Sequence, residues 1–110
     1  MAHRIEVSPA AARQLKKIDR RLLAQIAAKI DSLAVDPRPH GCEKLSGYEN
    51  LYRVRVGDYR IVYGVEDRLL LVAVLKVGNR AQVYQRLRDS DVDFLRGLID
   101  PERGGTEPEQ

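Results

Sequence analysis

The sequence is poor in the residues that support disulfide frameworks, metal centres and membrane spans. Among its 110 residues are one cysteine, Cys42, and two histidines, His3 and His40. A single cysteine cannot form a disulfide within the chain, which fits a reducing compartment, and so few ligands argue against a metal centre. No apolar run approaches the roughly 20 residues of a transmembrane helix, and the first residues lack the apolar stretch of a signal peptide. We therefore expect a cytoplasmic protein with no cofactor and no membrane partner.

Charge is spread unevenly along the chain, whose formal net charge is +3. Residues 50–88 carry eight arginines and lysines against three acidic residues, whereas residues 101–110 carry one arginine against three glutamates. A basic second half is typical of proteins that bind a nucleic acid or an acidic protein, although net charge alone fits simple solubility as well. We expect one domain over residues 1–100 and a disordered acidic tail over residues 101–110.

The first half of the sequence has helical periodicity after one short strand, Arg4–Val7. Ser8 followed by proline is a strong helix start, since serine caps the helix and proline suits its first position. After a brief break near residues 19–20, the apolar residues of a second helix recur every three or four positions. They are Leu22, Ile26, Ile30 and Leu33.

The second half reads as strands. Residues 51–56 and 59–65 alternate, residues 69–77 form a long apolar run typical of a central strand, and residues 80–87 can form another strand. A short helix is predicted over residues 91–99, with Ser90 as its cap. The order predicts an α+β fold, in which two N-terminal helices pack on one face of an antiparallel sheet of about four to five strands. The opposite face is expected to be open.

The hairpin around Gly57-Asp58 is the most informative segment of the chain. A two-residue loop that contains glycine fixes the register of its flanking strands, so Arg55 should face Arg60 and Arg53 should face Val62. Residues directly opposite share a face, which groups Arg53, Arg55 and Arg60. Like charges opposite each other destabilise a strand pair by a few tenths to ~1 kcal/mol. The grouping therefore favours a polyanion bound over the three guanidinium groups.

Several segments together resemble the RelE/ParE superfamily of bacterial type II toxin–antitoxin toxins, on its RelE ribonuclease branch. The resemblance rests on four motifs and covers roughly residues 4–86. The motifs are Lys44-Leu-Ser-Gly47, Tyr52-Arg-Val-Arg55, Gly57-Asp-Tyr-Arg-Ile-Val-Tyr63 and Val77-Gly-Asn-Arg-Ala-Gln-Val-Tyr84. It implies a RelE-like fold and a ribonuclease that cleaves mRNA in the ribosomal A site without a metal, by attack of the RNA's own 2′-hydroxyl.

The resemblance also implies which residues act. The RelE pattern has two basic residues on the first hairpin strand, an arginine opening the next strand, an arginine after a later glycine and a tyrosine near the end of the last strand. The matching catalytic positions are Arg53, Arg55, Arg60, Arg80 and Tyr84. Guanidinium groups suit the doubly charged phosphorane, because each donates two parallel hydrogen bonds. The RNA-binding residues we expect are Arg53, Arg55, Arg60, Lys44 and Arg86.

The identity of the general base is the one departure from the pattern. The RelE branch carries lysines where this chain has Arg53 and Arg55, and arginine does not lose its proton in proteins. The sequence offers only His40 and Glu66 as weak replacements. Either the arginines act mainly through electrostatics and positioning, or the activity is weaker or differently targeted.

Two alternatives and a set of partners follow from the same resemblance. A ParE-like toxin would inhibit DNA gyrase by binding alone, and an RNA-binding module would keep the fold without cleavage. The expected partners are a cognate RelB-like antitoxin, the ribosome with its mRNA and, through the antitoxin, operator DNA. The antitoxin should place acidic residues over the arginines.

Overall fold

The helical half is as the sequence predicts. The computed structural model describes residues 2–79, 87 and 89–99. Strand β1, Arg4–Val7, leads into α1, Pro9–Leu15, and α2 follows at Arg20–Leu33. The Ser8 hydroxyl caps α1 by accepting a 3.0 Å hydrogen bond from the Ala11 amide, and it donates one of 3.0 Å to the Leu75 carbonyl. The serine therefore both starts the helix and fastens it to the sheet.

The apolar stripe of α2 lies in the main core. Ile26, Ile30 and Leu33 are buried, and Leu22 packs against them as a partly buried neighbour. The Asp19 carboxylate caps the helix by accepting hydrogen bonds from the Arg21 and Leu22 amides. The break between the two helices covers residues 16–19, so it begins earlier than the sequence predicts and ends close to the predicted position.

Five strands form one sheet in the order β1-β5-β4-β3-β2. Strand β2 is Glu43–Lys44, β3 is Leu51–Val56, β4 is Tyr59–Glu66 and β5 is Leu71–Asn79. The α+β fold is confirmed, and the described residues form five strands. One of these, β2, lies in a segment that the sequence predicts to be a loop. However, β1 runs parallel to β5, so the sheet is mixed and not wholly antiparallel. Two helices and three strands lie between these two strands along the chain, and such a long crossover permits parallel pairing where a short hairpin does not.

The hairpin register is confirmed. Across β3 and β4, Arg55 lies opposite Arg60, Val54 opposite Ile61 and Arg53 opposite Val62. Gly57 opens the loop with φ of +59°, a left-handed conformation that glycine adopts without strain. The register places all three arginines on the face of the sheet away from α1 and α2.

Strand β5 lies at the centre of the fold and is buried along most of its length. Its pairing with β4 shifts between Val62 and Tyr63, so Leu75 is an extra residue in β5. Leu75 joins Leu51, Leu71, Ala73 and Leu95 in a second apolar cluster on the far face of the sheet. The sheet therefore has core on both faces.

The C-terminal helix α3, Asp89–Ile99, covers part of the face that we expect to be open. It begins two residues before the predicted start, so Ser90 lies in its first turn and not at its cap. Leu95 is 8% exposed and lies against Leu51 and Gly64. The apolar residues of α3 explain why this face is covered, because they would stay in contact with water if the helix did not pack on the sheet. Among the described residues, α3 covers this face at the end of the sheet that lies away from the hairpin loop.

Two sequence predictions fall outside the described residues. They are the strand over residues 80–87, of which only Leu87 is described, and the tail over residues 101–110. Within the residues that the structure describes, every helix is too short or too polar to cross a bilayer.

Candidate nucleic-acid interface

Three arginines of the hairpin form one cationic group, here called the arginine cluster: Arg53, Arg55 and Arg60. Arg53 and Arg55 alternate along β3, and Arg60 on β4 lies directly opposite Arg55. Their grouping follows from strand geometry, because residues two apart share a face and paired residues across a ladder do as well. The structure therefore brings together three of the five predicted catalytic residues.

The three arginines differ in exposure. Arg55 is exposed, the Arg53 side chain is 26% exposed and Arg60 is only 9% exposed. An Arg60 Nη1 hydrogen donates to the Tyr59 carbonyl at 3.3 Å. On its other side, β5 presents Gly78, which has no side chain to compete for the space. Arg60 is thus set into the sheet surface and held there, whereas the sequence analysis expects it to be open.

The carboxylate of Glu43 lies directly beside the arginine cluster. Glu43 pairs in register with Arg53 across β2 and β3, and its Oε1 accepts hydrogen bonds from Arg53 Nη2 at 2.6 Å and from Nε at 3.2 Å. These bonds, and then the charges of Arg53, Arg55 and Arg60, lower the pKa of Glu43 below its ordinary value. One acid and three arginines therefore share a single electrostatic field.

The sequence alone does not mark Glu43 as a site residue. A two-residue strand such as β2 is too short to produce a periodic signal. The register between β2 and β3 is set by a six-residue loop, 45–50, in which Gly47 and Asn50 have positive φ. The only available signal was an acid directly before the Lys44-Leu-Ser-Gly47 motif.

The loop that leads into β2 is fastened to the sheet by side chains of the opposite face. Arg38 Nε donates to the Tyr52 hydroxyl at 2.9 Å, and its guanidinium carbon lies 5.2 Å from the centre of the Tyr52 ring. The Tyr63 hydroxyl donates to the Pro37 carbonyl at 2.7 Å. These contacts fix residues 37–38, five or six positions before Glu43, and help to define where β2 begins.

Asp67 joins this loop to the N-terminus and gives a testable pH dependence. Its carboxylate lies 3.1 Å from Arg38 Nη2 and 3.0 Å from His3 Nε2, and the hydrogen bonds of Arg38 and then His3 lower its pKa. A lowered folded-state pKa stabilises the fold above the unfolded value of about 3.9, and this stabilisation is lost as the pH falls through the lower folded value. Asp67→Asn should therefore destabilise the protein at neutral pH, but progressively less in acid. Urea unfolding across pH measures this, with Asp36→Asn at an exposed loop aspartate as the control variant.

The remaining predicted site residues lie apart from the cluster or outside the described residues. Lys44 pairs with Tyr52, so its side chain leaves β2 on the face opposite to that of Glu43. Arg80, Tyr84 and Arg86 lie outside the part of the chain that the structure describes. The roles assigned to all four stay predictions.

Of the two weak candidates for a general base, Glu66 is the better defined. It ends β4, six residues from Arg60 and so about 20 Å along the strand, and its Oε2 lies 3.1 Å from Arg68 Nε. The hydrogen bond from Arg68 lowers its pKa. Glu66 therefore belongs to an ion pair at the far end of the strand.

Comparison with known proteins identifies the family. The model of the ParE toxin of type II toxin–antitoxin systems (parDE) matches residues 5–84. The chain belongs to this toxin family. The sequence prediction of a RelE/ParE-superfamily toxin is therefore confirmed, and the hairpin with its arginine cluster lies wholly within the matched residues.

Individual relatives of this ParE-family toxin carry RelE names. It is 28% identical over 87 residues to toxin RelG of Mycobacterium tuberculosis, covering 78% of this chain and 100% of the relative. Among solved structures, an Escherichia coli RelE variant in the free state is 28% identical with a TM-score of 0.66, covering 76% of this chain and 92% of that one. The archaeal RelE–RelB complex of Pyrococcus horikoshii gives 26% identity and a TM-score of 0.66, covering 74% and 99%.

The chemistry available to the ParE-family toxin at this surface is recognition of phosphate. Guanidinium groups donate parallel hydrogen bonds to two phosphate oxygens. Arg60 is already held in place, so little side-chain entropy remains for it to lose on binding. The adjacent Glu43 carboxylate is a feature that a site for binding an anion alone does not need.

Proposed function

We propose that this toxin is a metal-independent endoribonuclease that cleaves mRNA in the ribosomal A site. The observation that carries the proposal is the arginine cluster, in which Arg55 lies directly opposite Arg60 and Arg53 shares their face of the sheet. Such an arrangement costs stability in the free protein and becomes favourable when a phosphate lies over it. The RelE names of the relatives support the same reaction class.

The proposed reaction is attack of an RNA 2′-hydroxyl on the adjacent phosphorus. The arginine cluster stabilises the doubly charged phosphorane, and preorganised donors of this kind typically contribute about 10²–10³ each to the rate. Arg80 and Tyr84 are proposed to complete the site, the first on the phosphate and the second by stacking on a base. Lys44 and Arg86 are proposed as further RNA contacts.

A cognate antitoxin is the proposed regulatory partner. The archaeal neighbour is solved as a complex of RelE with RelB. We propose that a RelB-like segment wraps this domain, with acidic side chains paired to the arginine cluster, and that its DNA-binding part brings the complex to operator DNA. Association of oppositely charged surfaces of this kind is fast and weakens with salt.

Mapping transcript 5′ ends after induced expression in bacteria tests the function. We expect new cuts within translated reading frames, and none in a matched transcript whose start codon has been removed, because cleavage needs the ribosome. Equal cutting of both transcripts would contradict the requirement for the ribosome.

The match to the ParE family model favours one alternative, inhibition of DNA gyrase by binding alone. The same experiment separates it from the ribonuclease. Growth arrest with induction of the DNA damage response and no new RNA ends would establish gyrase inhibition. Coexpression of the neighbouring antitoxin gene should abolish the effect in either case.

A further inference from the structure

The proposed reaction needs a group that removes the proton from the 2′-hydroxyl. The three arginines of the cluster cannot supply it, because guanidinium stays protonated in proteins. A base must also lie within hydrogen-bond reach of the hydroxyl while the arginines hold the phosphate. The requirement is therefore a deprotonated group that borders the arginine cluster on the same face of the sheet.

Glu43 meets this requirement. It lies on β2, directly beside Arg53 in the ladder, and its carboxylate oxygen is 2.6 Å from Arg53 Nη2. The Glu43 side chain is 66% exposed, so a substrate can reach it. The charges that face it are Arg53 and Arg55 from β3 and Arg60 from β4, and all three lower its pKa. The carboxylate is therefore ionised at neutral pH and already oriented beside the phosphate site.

Uptake of a proton by Glu43 would also change the charges at the site. The phosphorane carries two negative charges, one more than the ground-state phosphate, while Glu43 loses its own charge as it gains the proton. The three guanidinium groups, no longer paired with a charged Glu43, would therefore hold the phosphorane more strongly than the ground state. Interactions that grow stronger only in the transition state are the ones that raise the rate.

We propose that Glu43 is the general base of this toxin, a role that rests on the ribonuclease function proposed above. The Glu43 carboxylate takes the proton from the 2′-hydroxyl, and the 2′-oxygen forms a bond to phosphorus. The bond from phosphorus to the 5′-oxygen breaks, and solvent water protonates that oxygen. The products are a 2′,3′-cyclic phosphate and a 5′-hydroxyl. The proton on Glu43 then returns to solvent.

Binding of the RNA strengthens this base. In the free protein, Arg53 donates two hydrogen bonds to Glu43. A phosphate that takes over part of the Arg53 guanidinium removes some of this stabilisation and places a negative charge nearby. Both changes raise the pKa of the carboxylate towards the range in which general bases work best. Glu43 is thus a weak base until substrate arrives.

Single-turnover cleavage by the purified toxin, with saturating ribosomes that hold a defined mRNA and an empty A site, tests the proposal. We expect Glu43→Gln to lower the rate by about 10²–10⁴, the usual contribution of a general base. Binding to the ribosome should change by less than about fivefold, as expected for an exposed charge. Glu49→Gln, an exposed acid of the following loop, is the matched control and should cleave at the wild-type rate.

The pH profile separates a base from a residue that only positions Arg53. Glutamine keeps an oxygen that can accept the Arg53 hydrogen bonds, so a positioning role would survive Glu43→Gln. A base loses activity as its carboxylate gains a proton, so the wild-type rate should fall on the acid side, and this fall should be absent in Glu43→Gln. Glu43→Asp should restore part of the rate together with the acid limb.

Three results overturn the proposal, each in a recognisable way. Wild-type-like or faster cleavage by Glu43→Gln would show that Glu43 is dispensable or inhibitory, with the ribonuclease function intact. A slow Glu43→Gln that keeps the acid limb would assign a positioning role instead. If the wild-type toxin leaves the mRNA uncut, the ribonuclease function fails, and the base fails with it.

Discussion

Arg60→Ala should lower the rate of mRNA cleavage by about 10²–10³, the loss typical of one preorganised charged donor. Arg60 is only 9% exposed, and its guanidinium is held by the Tyr59 carbonyl beside the side-chain-free Gly78. In the proposed reaction it would therefore meet the phosphate with little reorganisation. Single-turnover cleavage on programmed ribosomes measures the effect.

Arg60→Lys distinguishes geometry from charge at the same position. Lysine keeps the positive charge but donates from one point, so it cannot form the two parallel bonds. We expect it to recover only a small part of the rate. Arg4→Ala is the matched control, since Arg4 is an exposed arginine on β1, at the opposite edge of the sheet, and pairs with Glu6. If Arg4→Ala and Arg60→Ala lowered the cleavage rate equally, the arginine cluster would contribute only through the overall charge of the protein.

Gly64→Val should detach α3 from the sheet and lower the free energy of unfolding by about 1–3 kcal/mol or more. A Cβ at Gly64 would lie 2.7 Å from Leu95 Cδ2 and 3.1 Å from Leu51 Cδ2. Gly64 lies in a central strand paired on both sides, so the backbone cannot move away. The branched side chain must therefore displace Leu95. Denaturant unfolding, with amide exchange in α3, reports both effects.

Gly97→Ala in α3 is the control for this variant. Among the described residues, nothing outside the helix lies within 4 Å of a Cβ at Gly97. Replacing a glycine inside a helix with alanine stabilises the helix by roughly 0.5–1 kcal/mol. The two substitutions should therefore change stability in opposite directions. If amide protection in α3 were unchanged in Gly64→Val, the close packing of Leu95 on the sheet would not be what holds this helix.

The hairpin could be predicted from the sequence because its determinants are local. A two-residue loop leaves one register, and alternation then assigns every side chain to a face. The same reasoning fails for β1, whose partner β5 lies beyond two helices and two hairpins. Nothing in residues 4–7 encodes whether they run parallel or antiparallel to that partner, since the crossover decides it.

The arginines of the candidate site could be predicted from the sequence, but its glutamate could not. Arg53, Arg55 and Arg60 follow from the hairpin alone. Glu43 joins them only through β2, a two-residue strand that exists because β3 offers it an edge. The neighbour of Arg60 on β5, Gly78, likewise comes from a strand that is adjacent only in the folded sheet. Single-strand patterns contain no information about such neighbours.

The parallel pairing of β1 with β5 has a consequence for the order of folding during synthesis. The Arg4 amide donates a hydrogen bond to the Leu70 carbonyl, and the Ser8 amide donates one to the Val74 carbonyl. Strand β1 therefore cannot pair until residues more than sixty positions later in the chain have been synthesised. Contacts of such long sequence separation form slowly, and synthesis at about 5–20 residues per second delays them further. The β3–β4 hairpin can form on its own, but α1 has no sheet to cover until β5 emerges. The nascent toxin therefore stays incomplete until most of its chain has been made.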